Sequence, residues 1–98
     1  MINNFIFDRN LKNISMNEWK DLYMNPCYVV LGRTQIGKYL ISTIWTGISH
    51  AKTPFETIVF CDSNPYEGIR HKTEKESIDF HLELVKLYLS HQEHILGK

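Results

Sequence analysis

Between Cys27 and Cys61 the chain carries three runs rich in β-branched and aromatic residues, and these constrain the fold more than any other feature. "CYVVLGRTQIGKYLISTIWTGI" holds the first two, parted by a polar turn around Thr34 to Gly37, a hairpin signal of a wider kind than the two-residue turn. "FETIVFC" is the third, after a loop at Ser49 to Pro54. Along the second run Tyr39, Ile41, Thr43 and Trp45 share one face, while Leu40, Ser42, Ile44 and Thr46 share the other. Apolar groups stand on both faces, which is expected when one side meets helices and the other a partner or a loop. "NFIFD" reads as a short edge strand, with Asn10 to Asn13 turning the chain, and "DSNPYEG" reads as a turn cluster.

Two helices flank the strands. Ser15 followed by Glu18 is a capping box, and Ile14 and Trp19 stand where a hydrophobic staple needs them. Asn25-Pro26 closes this short helix, because the residue before proline disfavours helical geometry. Thr73-Glu74-Lys75-Glu76 is a second capping box and opens a helix of about five turns. Ile78, Leu82, Val85 and Leu89 form its apolar stripe, widened by Leu84 and Tyr88, with His81 beside it and Gly97 after the pattern fades. A histidine there is expected to donate a hydrogen bond to sheet or loop. The reading is one α+β domain over 1–98. It has an antiparallel sheet of three or four strands, a short N-terminal helix and a long C-terminal helix packed on one face.

Composition bounds function. Hydrophobic residues make up 43% of the 98, enough for a modest core. Eleven basic residues balance eleven acidic ones, so strong nonspecific attraction to nucleic acid or anionic lipid is not expected, and self-association meets little repulsion. Cys27 and Cys61 suggest reduced, buried thiols rather than a disulfide framework. With neither a secretion signal nor a membrane-length apolar segment, the expected setting is soluble and cytoplasmic. His91 and His94 alone have ligand-like spacing, in a polar tail, so no metal and no cofactor is expected.

The candidate positions cluster in "STIWTGISHAKTPFETIVF", Ser42 to Phe60. A nucleophile elbow, a phosphate-cradling glycine loop and a dinucleotide fingerprint are all missing, and no catalytic residue is assigned. His50 with Glu56 would be the acid–base pair of an enzyme, but no reaction class is favoured. Trp45 in a β run reads as core before ligand platform. Glu56 alternates with Ile58 and Phe60 on a largely apolar face, where a carboxylate calls for a partner or a ligand. Arg33, Lys52 and Arg70 are cations able to neutralise it or to bind an anion.

Taken together, these runs resemble a family of small uncharacterised phage and prophage proteins. Its members carry a run like Ser-Thr-Val-Trp-Leu-Gly-Leu-Asp-His, then Phe-Glu-Thr-Met-Val-Phe, then Tyr-Ser-Thr opening a helix with His eight residues after the Thr. Here Ser42 to His50 matches the first run, Phe55 to Phe60 the second, and Thr73 with His81 the last spacing, over roughly Glu18 to Val85. Thr46 replaces Leu, Ser49 replaces Asp, and His71 stands in place of the usual Tyr; the loss of the Asp argues against catalysis. The resemblance implies a mobile-element origin and a counter-defence role in an infected cell. The protein would be non-enzymatic and homo-oligomeric, sequestering a small anionic ligand such as a signalling nucleotide. Trp45, His50, Glu56, Arg33, Lys52, Thr57 and His81 would form the site, with Trp45 stacking on a base. The rival is a protein–protein inhibitor of a host defence effector, with a nucleotide-acting enzyme third.

Overall fold

The computed structural model describes residues 2–96, with side chains described for 4–91; Gly97 and the side chain of His94 lie outside that range. The order is β1 (Ile2–Phe7), β2 (Asn13–Ser15), α1 (Met16–Tyr23), α2 (Pro26–Val29), β3 (Val30–Ile36), β4 (Tyr39–Trp45), β5 (Phe55–Cys61), β6 (Asn64–His71) and α3 (Glu74–Leu96). Strands β3-β4-β5-β6 form an antiparallel meander, and β1-β2 a separate antiparallel pair. This is an α+β fold. The long helix α3 covers one face of the four-stranded sheet, while α1 packs on the β1–β2 pair.

Turn chemistry sets the meander. Ile36 pairs with Tyr39, so β3 and β4 are joined by Gly37-Lys38 alone, a tighter turn than the sequence suggests. Gly37 has φ +57°, which lets it take the first central position of a type II′ turn. Asp62 and Ser63, at φ +50° and +70°, make the β5–β6 turn, the pattern of a type I′ turn. The segment "NPYEGIRH" is therefore a strand, β6, where turn composition suggests only a loop. Pro65 is tolerated because β6 is an edge strand.

The helices differ from expectation at their ends and faces. At α1 the capping box forms as read: the Ser15 hydroxyl accepts the Glu18 amide and the Glu18 carboxylate accepts the Ser15 amide. Asn25 does not simply end a helix; it caps the one-turn α2, and β3 begins only at Val30. Cys27 lies exposed on that turn and Cys61 is half-buried, both as free thiols. Thr73 caps α3 by accepting the Glu76 amide at 3.1 Å, but the Glu76 carboxylate reaches the Lys72 amide rather than closing a box on Thr73. At 23 residues α3 is longer than five turns. Its inward face is Ser77, His81 and Leu84, while Leu82 and Leu89 are 53% and 46% exposed. The expected stripe is thus rotated toward its Leu84 and Tyr88 flank, with Val85 still packed on the core, and Ser77 and His81 complete the inward face.

The interior explains that rotation. Ile6, Ile14, Val29, Trp45 and Phe55 form one apolar cluster, joined by Trp19 and Tyr28. Ile36, Ile41, Val59 and Leu84 form a second, joined by Tyr39, Phe80, Val85 and Tyr88. Between them, on the same sheet face, sit Thr43 of β4, one inward position from both Ile41 and Trp45, and Thr57 of β5, between Phe55 and Val59. A buried polar band therefore separates two apolar clusters.

Candidate functional site

Register decides which candidate residues meet. Trp45 pairs with Phe55 and Ile44 with Glu56, so Trp45 and Glu56 point to opposite faces of the sheet. Trp45 is fully buried beneath the α3 side, donates its Nε1–H to the Phe7 carbonyl at 2.9 Å and meets Tyr28 edge-on at 4.9 Å. Both ring faces are occupied by protein, which corrects the expectation that it stacks on a base. His50 is exposed on the loop after Ser49, its ring 4.5 Å from Phe5, and Lys52 is exposed on the same loop at φ +57°. Ser49 is buried, and its hydroxyl accepts the Thr53 amide at 2.9 Å, closing the loop. Glu56 lies on the open face with Arg70 at 4.0 Å, a half-exposed pair of small energetic weight. Arg70 in turn donates to the Thr53 carbonyl at 3.3 Å.

Thr57 and His81 are brought together, through a group that sequence reasoning leaves aside. The His81 Nε2 lies 2.9 Å from the Thr34 hydroxyl, and its Nδ1 lies 2.8 Å from the Thr43 hydroxyl. Thr43 continues to Thr57 at 2.7 Å, and Thr57 to the His71 Nε2 at 3.0 Å. The expected bond from His81 to the sheet is therefore present, as one link of a chain of five side chains crossing β3, β4, β5 and β6 beneath α3. Burial pushes the His81 imidazole below its ordinary value; it does the same to His71, with the Glu76 carboxylate pulling the other way. Gly32 leaves room for the ring: a Cβ there would stand 3.0 Å from His81 Cε1. The two histidines and the alternating threonines are visible in the sequence, but their convergence is not.

The open face holds the larger concavity. Arg33 of β3 faces Ser42 of β4, and Leu40 faces Phe60 of β5. With Lys38, Asp62 and Ser63 from the two turns they line a groove of about 540 Å³. Leu40 and Phe60 give it an apolar part, and two cations, a carboxylate and the Ser42 and Ser63 hydroxyls a polar one. Of the site residues expected from the sequence, Arg33 alone lines it. Lys38 escapes that reading because the polar pattern sets the β3–β4 turn too early, and Ser42 and Phe60 because only cross-strand pairing brings them beside Arg33. Neither His50 nor Glu56 lines this groove or the clefts flanking the threonine–histidine chain. Among the described residues no three His, Cys, Asp or Glu side chains converge as a metal site would require, and no helix is long and apolar enough to cross a membrane. In comparisons with protein-family models, curated proteins and solved structures, no match to this chain was found.

Proposed function

We propose that this chain is a binding protein without catalytic activity. It captures a small anionic ligand that carries a planar ring, such as a signalling nucleotide, in the groove on the open sheet face. The observation that supports this reading is the pairing of Arg33 and Lys38 with the half-buried Phe60 and Leu40 around one 540 Å³ concavity. A guanidinium can grip a phosphate with two parallel N–H bonds, Lys38 adds a point charge, and the Phe60 ring offers the stacking surface that buried Trp45 does not. Ser42 and Ser63 supply hydroxyls for ligand oxygens. The resemblance to phage proteins suggests that such capture serves counter-defence within an infected cell, by a self-associating protein that removes a signal. Calorimetric titration with a nucleotide panel that includes cyclic di- and oligonucleotides tests it. Arg33→Ala should weaken binding by about 10- to 100-fold, the loss of a charge-assisted pair. Heat release unchanged by both Arg33→Ala and Phe60→Ala, or no binding at millimolar ligand, overturns the reading.

A protein target is the alternative reading, favoured by one observation. Ile58 continues the open face beyond Leu40 and Phe60 as a half-buried apolar residue beside Ser42. Stoichiometric co-elution with a defence effector, lost on Ile58→Glu, would decide for it.

A further inference from the structure

The chain Thr34–His81–Thr43–Thr57–His71 contains four consecutive hydrogen bonds of 2.7–3.0 Å and offers few ways to place its protons. Each hydroxyl has one proton, and each neutral imidazole has one N–H. With both histidines neutral, only two arrangements form all four bonds without stranding a proton of the buried Thr43 or Thr57. In one, Thr34 donates to His81 Nε2, His81 Nδ1–H to Thr43, Thr43 to Thr57, and Thr57 to His71 Nε2, so both rings carry their proton on Nδ1. In the other every donor is reversed, both rings carry it on Nε2, and the proton of half-buried Thr34 turns out of the chain. Any mixture of the two leaves one bond without a proton, or the proton of buried Thr43 or Thr57 without an acceptor.

Adding protons extends the count. One extra proton, on either ring, leaves all four bonds intact. Two extra protons make Thr43 and Thr57 each accept from a ring; one then donates to the other, and the remaining proton of this buried pair has no acceptor in the chain. We propose that these five side chains form a binding site for one shared proton, which moves between His71 and His81 through the two threonines and excludes a second. Starting from cationic His71, its Nε2–H proton passes to Thr57 Oγ1, the Thr57 proton to Thr43 Oγ1, and the Thr43 proton to His81 Nδ1. His71 ends neutral and His81 cationic; no heavy-atom bond changes and nothing is oxidised or reduced.

The surroundings support a shared proton. Thr43, Thr57, His71 and His81 are all at most 7% exposed, so bulk water does not substitute for a lost partner. The charged groups around the chain are Glu67 on β6 beside Thr57, and Lys72 and Glu76 near His71, while Arg33, next to Thr34 in the chain, points to the open face. On this face β4 and β5 present only Ile41, Thr43, Trp45, Phe55, Thr57 and Val59 near it, with Tyr39 and Cys61 at the far end beside Tyr88 of α3. Glu76 favours a proton at the His71 end, so the proton rests nearer His71.

Long-range proton–nitrogen NMR of the imidazoles in the full chain tests this. Above neutral pH the fraction protonated on Nδ1 should be equal in His71 and His81, whichever value it takes. On acidification the two rings should together take up one proton in a common pH window. The second should follow at least about one pH unit lower, the shift that an orphaned buried hydroxyl imposes, or only on unfolding. Thr57→Ser, which keeps the hydroxyl, should preserve both signatures, and Thr57→Val should abolish them. Unequal tautomer fractions in the unmodified protein, or two independent proton uptakes in the folded state, overturn the proposal. The tautomer comparison decides the matter even where Thr57→Val fails to fold.

Discussion

Gly47 is where one added methyl group should cost the most. It has φ +77°, and a Cβ built there would lie 2.6 Å from Trp19 Cδ1 and Nε1 and 2.7 Å from Trp45 Cζ2. Neither ring is free to yield. Trp19 donates its Nε1–H to the Thr46 carbonyl at 2.9 Å and stacks on Tyr23 at 4.8 Å, while Trp45 is fully buried and tied to Phe7. The Gly47 carbonyl also accepts the Phe7 amide at 2.8 Å, which docks β1 beside the end of β4. An L-residue in this backbone region costs about 1–2 kcal/mol, and forcing a methyl into a packed core about 1–3 kcal/mol. Gly47→Ala should therefore lose roughly 2–5 kcal/mol, a large part of the total of a domain this size. Its Tm should fall by about 10–30 °C. Gly68→Ala is the control: its Cβ meets Ile58 Cγ1 at an ordinary 3.6 Å, and its stability should stay within about 0.5 kcal/mol. Urea unfolding followed by far-ultraviolet circular dichroism measures both. A Gly47→Ala midpoint indistinguishable from that of Gly68→Ala would refute the claim that the two tryptophans are locked against this backbone.

Gly32→Ala presses a methyl to 3.0 Å from an imidazole held at both nitrogens, so it should cost about 1–3 kcal/mol and shift the His81 ring resonances by NMR more than those of His50. Glu74 binds Arg9 through two bonds of 2.7 Å, which hold its carboxyl below and the guanidinium above their ordinary values. The stabilisation is present above the unfolded carboxyl value of 4.5 and lost as pH falls through the folded one. Glu74→Gln should thus cost about 1 kcal/mol at pH 7 and much less at pH 3, by urea unfolding. His71 and His81 have folded values below their unfolded 6.5, so the unfolded chain takes up protons first. Their contribution is whole above about pH 6.5 and declines below it, which urea midpoints measured from pH 8 to pH 5 should follow.

How much of this the sequence shows depends on whether a signal is local. The Ser15–Glu18 box, the three central strands and the C-terminal helix are local patterns, and all are present. β6 is hidden because Asn64, Pro65 and Gly68 have turn composition, while its strand state comes from pairing with β5 across the Asp62-Ser63 turn. The inward face of α3 is misread for a related reason. Leu82 and Leu89 outrank Ser77 and His81 in hydrophobicity, but the sheet beneath offers hydroxyls at Thr34 and Thr43, and a satisfied histidine can be buried there. The trio of Trp45, His50 and Glu56 is grouped only by nearness along the chain. Pairing Trp45 with Phe55 puts one member in the core, one on a loop and one on the open face.

The polar band does more than fill the space between two apolar clusters. Side chains on β4 alternate, so a slip of one residue against β3 and β5 would turn Leu40, Ser42 and Ile44 toward α3 and send Ile41, Thr43 and Trp45 outward. Hydrophobicity resists such a slip at Trp45 but only weakly along the rest of the strand, where leucine and isoleucine on the open face could stand in for the isoleucine now buried. The hydroxyls remove that tolerance. Thr43 reaches Thr57 at 2.7 Å and His81 at 2.8 Å only in the observed register, and losing it strands His81, Thr57 and His71 as buried groups without a chain to join. Each such orphan costs about 1–3 kcal/mol, comparable to the burial of a whole aliphatic side chain. The threonines therefore fix which face of β4 meets the helix. That choice leaves Arg33, Ser42 and Phe60 together on the other face, where the groove lies.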